Sequence, residues 1–293
     1  MKQFILMIIL LFLLLTFHDA VIIGTQDGLL LWYQTLIPSL LPFILVTNAL
    51  SETNAYHIIA TSFKNKHSNR IYEFMAIALG NLCGYPIGGK IINDFVKNGC
   101  ITTRRAQQIL PLASQASPMF LIGYIYTHIL KSEIPLYIFM GSIYLPVVIY
   151  YIILCLSTKK NTFAPNRILS KKIYLKDTFL HAVEIMVMIG VYVIIFSIIL
   201  TILLPYCNSN LAKILLSFLE ITTGLKLLNS LIMHNPFHIA MLCALSASGG
   251  LCSAFQVKGV LEYENNGIKK YLLDKCILST GTFCIIYLYS MMD

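Results

Sequence analysis

The sequence predicts an all-α polytopic membrane protein. It is read as two internal repeats, each with a glycine-rich re-entrant or broken helix, joined by a linking helix. Three observations carry that reading. Of 293 residues, 57% are hydrophobic and only 12% are charged, about half the charged fraction of an average soluble domain. Long stretches contain no Asp, Glu, Lys or Arg at all. The 21 Lys and Arg against 13 Asp and Glu give a formal net charge of +8, and they crowd into a few loops. That crowding points to membrane orientation rather than to an RNA partner. With a mean hydropathy of +0.76, the chain has too little polar surface to cover a soluble globule. An ordinary cytosolic enzyme, a disordered chain and a nucleic-acid-binding domain are thereby excluded.

The elements follow from the charge-free stretches, because a bilayer core takes about 20 apolar residues per helix. The first element, 4–23, begins like a signal peptide. No small-x-small cleavage site follows it and hydrophobicity resumes at 20–24, so it is read as a retained helix. The second, 28–50, lies in the uncharged run 28–51, and Pro38 and Pro42 are expected to break it. Then come 73–97, 102–130 within the uncharged run 106–130, and the linking helix 133–157 within 134–158. The second half holds 178–204 and 210–233. It continues with 236–262, from a run 227–257 interrupted by His234, Asn235 and Pro236, and ends with 268–290. These are nine elements, not all of which need cross.

Basic loops set the topology. The loop 158–177 carries Lys159, Lys160, Arg167, Lys171, Lys172 and Lys176 against Asp177, and it should face the cytoplasm. The loops 51–72 (Lys64, Lys66, Arg70) and 97–105 (Lys97, Arg104, Arg105) should do the same. If both ends of 73–97 are inside, that segment enters and leaves on one face as a re-entrant hairpin. Its turn would be Gly80-Asn-Leu-Cys-Gly-Tyr-Pro-Ile-Gly-Gly89. A shift of 168 residues aligns Ala76 with Ala244, Lys90 with Lys258, Asn98-Gly99 with Asn266-Gly267, and Ile109-Leu110 with Ile277-Leu278. The division is therefore 1–157 (first repeat plus linking helix), 158–177 (basic cytoplasmic loop) and 178–293 (second repeat). Whether the repeats are parallel or inverted depends on the parity of crossings.

Candidate binding residues cluster where polar groups interrupt these stretches. In the first hairpin, Gly80, Gly84 and Gly88 let backbone approach a ligand, Cys83 and Tyr85 lie between them, and Pro86 breaks the helix. The paired segment reads Ser246-Ala-Ser-Gly-Gly-Leu-Cys-Ser253, with Ser248, Gly249, Gly250, Cys252 and then Gln256 as candidates. Half-helix N-termini at such breaks favour an anionic group; close packing of small residues is the alternative. Ser114, Gln115 and Ser117 interrupt 106–130 beside Pro118, which is expected to kink the helix. Glu220, with Thr223 in Thr222-Thr223-Gly224 beside it, lies near the middle of 210–233. A carboxylate there costs about 2.5–3.5 kcal/mol on insertion scales unless it faces a cavity or finds a partner. It would carry a coupling proton or bind a polar group of the substrate, or else bond to neighbouring hydroxyls and pack two helices together.

Eight cysteines at 83, 100, 155, 207, 243, 252, 276 and 284 form no CxxC pair, so neither a zinc site nor a disulfide framework is expected. No Walker, dinucleotide-binding or HExxH pattern occurs. The expectation is a non-enzyme without cofactor or bound metal.

At Gly80–Lys90 the sequence resembles the YlbJ family of sporulation integral membrane proteins, relatives of the nucleoside-recognition or gate domains of nucleoside transporters and ferrous-iron permeases. The likeness extends through Ser39-Leu-Leu-Pro-Phe43, residues 114–123, Leu219-Glu-Ile-Thr-Thr-Gly224 and Gly249-Gly-Leu-Cys-Ser-Ala-Phe-Gln256. The family usually has serine where Cys83 and Cys252 stand, alanine at Gly89, and asparagines in the Ser114–Pro118 motif. The resemblance implies a solute carrier with a sporulation role, and dipicolinate moving between mother cell and forespore is the expected cargo. The expected function is thus secondary transport of a small anionic metabolite, a carboxylate, across the cytoplasmic membrane. The alternatives are a non-transporting scaffold of a spore-envelope complex or a nucleoside-type carrier. Expected partners are the solute, the lipid bilayer and, as an open option, a second copy in a homo-oligomer; no nucleic acid is expected.

Overall fold

A computed structural model describes residues 8, 11–52, 58–59, 68–157, 175–231, 235–262 and 268–292. The basic loop expected at 158–177 lies outside them up to residue 174, as do the start of the first element and most of 53–67. The described residues are 85% helix and contain no strand. Among the described residues, five runs are long and apolar enough to cross a membrane: His18–Leu50, Leu136–Ser157, Lys176–Tyr206, Pro236–Gly259 and Ile268–Met292. Their outer faces carry exposed Ile22, Val148, Ile153, Val187 and Leu288. An apolar surface of that extent suits lipid rather than water. The chain is a membrane protein.

Helix α1 (His18–Leu31) passes through one wide turn, Trp32–Leu36, into α2 (Ile37–Glu52). The expected separation at residues 23–28 and the expected break at Pro38 and Pro42 are therefore corrected. Proline removes a donor from the ladder. Here the wide turn precedes Pro38, and the Ser39 hydroxyl donates to the Thr35 carbonyl at 2.7 Å and the Leu36 carbonyl at 3.2 Å. The helix bends its hydrogen bonding and continues.

The other expected spans divide. The segment 73–97 becomes α3 (Ser68–Cys83) and α4 (Ile87–Lys97). The segment 102–130 becomes α5 (Thr103–Ile109) and α6 (Pro118–Phe120), which widens into a π turn over Leu121–Ile129. After α7 (Leu136–Ser157) and α8 (Leu175–Leu203), 210–233 becomes α9 (Asn210–Ser217) and α10 (Ile221–Asn229). Helix α11 (Asn235–Ser248) turns at Gly249 into α12 (Gly250–Gly259), and α13 (Ile268–Met292) closes the chain. Neither α9 nor α10 has the length to cross a bilayer core alone.

Close contacts hold the long helices. Gly24 and Gly28 bring α1 onto α8: a Cβ at either would stand 2.7 Å from the Ile198 Cα or 2.8 Å from the Ile194 Cα. Small residues four apart are how helices approach in lipid. The Trp32 indole lies over Gly190 and donates to the Met186 carbonyl at 2.8 Å. Helix α13 runs along α11 and α7, joined by Ser279 Oγ to the Ala244 carbonyl (2.7 Å) and Thr282 Oγ1 to the Ser142 carbonyl (2.9 Å). The buried Glu73–Arg105 pair, bidentate at 2.6 and 2.8 Å, ties α3 to α5, and Tyr151 of α7 donates to the same carboxylate. Lys97 meets Glu262 at 2.6 Å and Asn93 Oδ1 accepts from the Glu262 N–H, tying α4 to the chain after α12.

Candidate functional site

Four interruptions of helix meet inside this frame. The first lies between α3 and α4. Gly84 takes φ +83°, which glycine adopts at no steric cost, and a Cβ there would also stand 2.9 Å from the Ser117 nitrogen. The second lies between α5 and α6, where 114–117 has no helical bonding. Pro118 does not kink a continuous helix as the sequence suggests. It opens α6 at a position where its missing N–H has no intrahelical partner to lose, and Ser117 Oγ caps the helix by accepting from the Phe120 N–H at 3.3 Å. These two breaks are laced together. Tyr85 donates its N–H to the Gln115 carbonyl at 3.1 Å. Gly80 and Gly88 both face the Ala113 carbonyl, which a Cβ would meet at 2.3 and 1.8 Å.

The third break separates α9 from α10, and Glu220 stands there rather than in mid-helix. Its backbone is extended (φ −141°, ψ 130°), and its carboxylate accepts from the Thr223 N–H (2.7 Å), Thr223 Oγ1 (2.7 Å) and Thr222 Oγ1 (2.5 Å). A carboxylate on the first N–H groups of a helix satisfies orphan donors and complements the positive end of the dipole. The fourth break is Gly249-Gly250, with φ +74° and +72°. The N–H groups that open α12 are taken by the third break: Leu251 donates to the Phe218 carbonyl at 2.8 Å and Cys252 to the Leu219 carbonyl at 2.9 Å.

The two laced pairs then meet. A Cβ at Gly249 would stand 3.3 Å from Tyr85 Cε1, and Tyr85, Tyr124 and Cys252 all lie within electrostatic reach of Glu220. Lys275 of α13 enters from the side, 3% exposed. Its Nζ donates to the Ser114 carbonyl (2.8 Å), the Ala247 carbonyl (2.9 Å) and Gln115 Oε1 (3.0 Å). Next to it, Tyr271 lies beside Ser114 and Ser253.

The sequence-predicted residues therefore gather in one junction, but many of their polar groups are committed to one another. Gly84 donates to the Gly80 carbonyl, Gly249 to the Leu245 carbonyl and Gly250 to Ser248 Oγ. Cys83 is buried at the end of α3, and Gln256 Nε2 donates to Cys252 Sγ at 3.2 Å. The backbone N–H groups at Tyr85, Gly250, Leu251 and Cys252, expected to receive an anion, are occupied in this arrangement. The glycines approach the Ala113 backbone. What stays unpaired, among the described residues of the junction, is Ser114 Oγ, Tyr124 Oη, Gln256 Oε1 and Tyr271 Oη. Lys275, Tyr271 and Tyr124 escaped the sequence reading. The adjacent charges Asp274 and Lys275, well inside the span α13, were the signal for Lys275; the tyrosines had none. The pairs His18–Asp19 and His181–Glu184 are largely exposed and lie apart from the junction.

Comparison of the chain with protein families, with curated proteins and with solved structures finds no match in any of the three.

Proposed function

We propose that the chain is a secondary transporter of a small anionic metabolite, a carboxylate, across the cytoplasmic membrane. Dipicolinate during spore formation is the cargo its resemblance to the YlbJ family implies. One observation carries the reading: four helix breaks meet in the interior around buried hydroxyl and amide groups that have no partner among the described residues. Each such group costs about 1–3 kcal/mol when dry. Irregular backbone at membrane depth persists where it is buried in protein or lines a wet cavity. A solute with several acceptor oxygens would pair with the hydroxyls of Ser114, Tyr124 and Tyr271. The Lys275 ammonium and the N-terminal end of α12 bias the junction toward a negatively charged solute.

A two-half construction would fit the same reading. Thr103, Pro118 and Leu136 open elements whose counterparts open at Asn235, Gly250 and Ile268, each 132 residues further on (103 to 235, 118 to 250, 136 to 268). We place the halves in that register rather than at the 168-residue shift of the sequence. Rocking of one half against the other would open the junction to either side.

The scaffold reading draws on a different observation. Gly80, Gly88 and Gly224 set backbone against backbone, the tight packing expected of a non-transporting assembly. Uptake of radiolabelled dipicolinate into proteoliposomes separates the two. Tyr271→Phe and Ser114→Ala remove hydroxyls whose polar neighbours in the closed protein are each other and Ser253. They should change unfolding little and weaken uptake affinity about two- to tenfold each. Uptake unaltered in Glu220→Gln and Gly84→Leu would count against the transport reading. Absence of saturable uptake of dipicolinate and of nucleosides by the wild type would overturn it in favour of the scaffold.

A further inference from the structure

Lys275 differs from Arg105, whose guanidinium meets the Glu73 carboxylate, in what it touches. Each of its three N–H bonds ends on an oxygen, and none of those oxygens belongs to a carboxylate. Asp274, its neighbour in sequence, turns to α7 and accepts from Tyr150 Oη at 2.9 Å. Glu220 is engaged in capping α10. Two of the three ligands are backbone carbonyls near helix C-terminal ends: Ala247 in the last turn of α11, and Ser114 in the non-helical stretch that follows α5. Helix C-terminal ends carry partial negative charge. Unwound carbonyls and half-helix C-termini are also the ligands that broken-helix carriers present to a coupling cation. The third ligand, Gln115 Oε1, is a neutral amide whose own Nε2 is held by the Pro111 carbonyl at 3.2 Å, fixing which end faces the ammonium.

We propose that Lys275 is a tethered cation. On a covalent stem it fills the place that a free monovalent cation would take among these three oxygens. The closed junction is then complete without sodium or potassium, and it joins the first half (Ser114, Gln115) to the second (Ala247, Lys275). Removing the side chain back to Cβ converts the cage into a binding site for a free cation of ammonium's size, because the oxygens stand at ammonium hydrogen-bond distances of 2.8–3.0 Å. This goes beyond the transport reading and does not depend on it.

The test reads unfolding rather than flux. Purified full-length protein in detergent is melted at equal ionic strength in choline, sodium, potassium or ammonium chloride. Wild type should melt at one temperature in all four. Lys275→Ala should melt several degrees lower in choline and recover at least half of that loss in ammonium and potassium, with less recovery in sodium. Lys275→Met, whose apolar stem fills the hole, should be lowered and rescued by no ion. Lys275→Arg, which keeps a cationic donor, should stay above Lys275→Met. If Lys275→Ala is too unstable to purify in choline, the yield of monodisperse protein in ammonium against choline is the reading. Equal behaviour of Lys275→Ala in ammonium and choline, or a Lys275→Met protein as stable as wild type, overturns the proposal.

Discussion

Replacing Gly88 by alanine should unlace the first two helix breaks. The added Cβ would stand 1.8 Å from the Ala113 carbonyl oxygen, 2.8 Å from its carbon and 3.1 Å from the Gly80 Cα. All three are backbone atoms, so no side chain can swing aside, and α4 must move away from 113 by more than an ångström. The Tyr85–Gln115 backbone bond, now 3.1 Å, would then pass out of hydrogen-bonding range. Overpacking costs about 1–3 kcal/mol and a buried pair left open about 1–3 kcal/mol. The sum, roughly 2–6 kcal/mol, lowers the folded-to-unfolded ratio about 30-fold or more. Gly141, with nothing within 4 Å of a Cβ, is the control: alanine there should be neutral or stabilising by up to about 1 kcal/mol. Thermal or denaturant unfolding in detergent, followed by circular dichroism, measures both. A Gly88→Ala protein that unfolds together with wild type and Gly141→Ala would refute the reasoning, since Gly80 and Gly88 would not be packed on Ala113.

Two other outcomes follow from buried groups. Glu73→Gln or Arg105→Met breaks a mostly buried bidentate pair and should destabilise the fold by about 3–5 kcal/mol. The double variant should lose less than the sum, as read from a double-mutant cycle in the same unfolding assay. A membrane-impermeant maleimide, with labelled sites mapped by mass spectrometry, should modify Cys207 first among the cysteines of the described residues. Cys83, Cys243 and Cys252 are buried, Cys155, Cys276 and Cys284 sit on the membrane-spanning helices α7 and α13, where lipid shields them from an impermeant reagent, and burial pushes the Cys100 thiol, in the loop between α4 and α5, up to about 11. That leaves Cys100 little thiolate at pH 7.5. Labelling of Cys83 or Cys252 as fast as Cys207 would mean that the resting junction is open to water.

The class of the protein and the neighbourhood of its site were legible in the chain. Apolar length without charge defines a membrane helix whatever surrounds it, which is why 133–157 and 178–204 closely match α7 and the long run ending at Tyr206. Glycine and proline marked where helix would fail, and the breaks at Gly84 and Gly249 fall inside the two motifs singled out for them. Local rules misjudged how each interruption is resolved. Pro38 and Pro42 leave a helix continuous because a wide turn and the Ser39 hydroxyl reroute its hydrogen bonds. Pro118 starts a helix because Ser117 caps it. Glu220 terminates a break because two threonines and an N–H group receive it. Only the tertiary structure could bring Lys275 to Ser114, Gln115 and Ala247, which lie 28 to 161 residues away along the chain. Hydrophobicity and backbone preference act on near neighbours and can be read in order. The partners of a buried charge are chosen by how distant segments pack, and no stretch of sequence contains that choice.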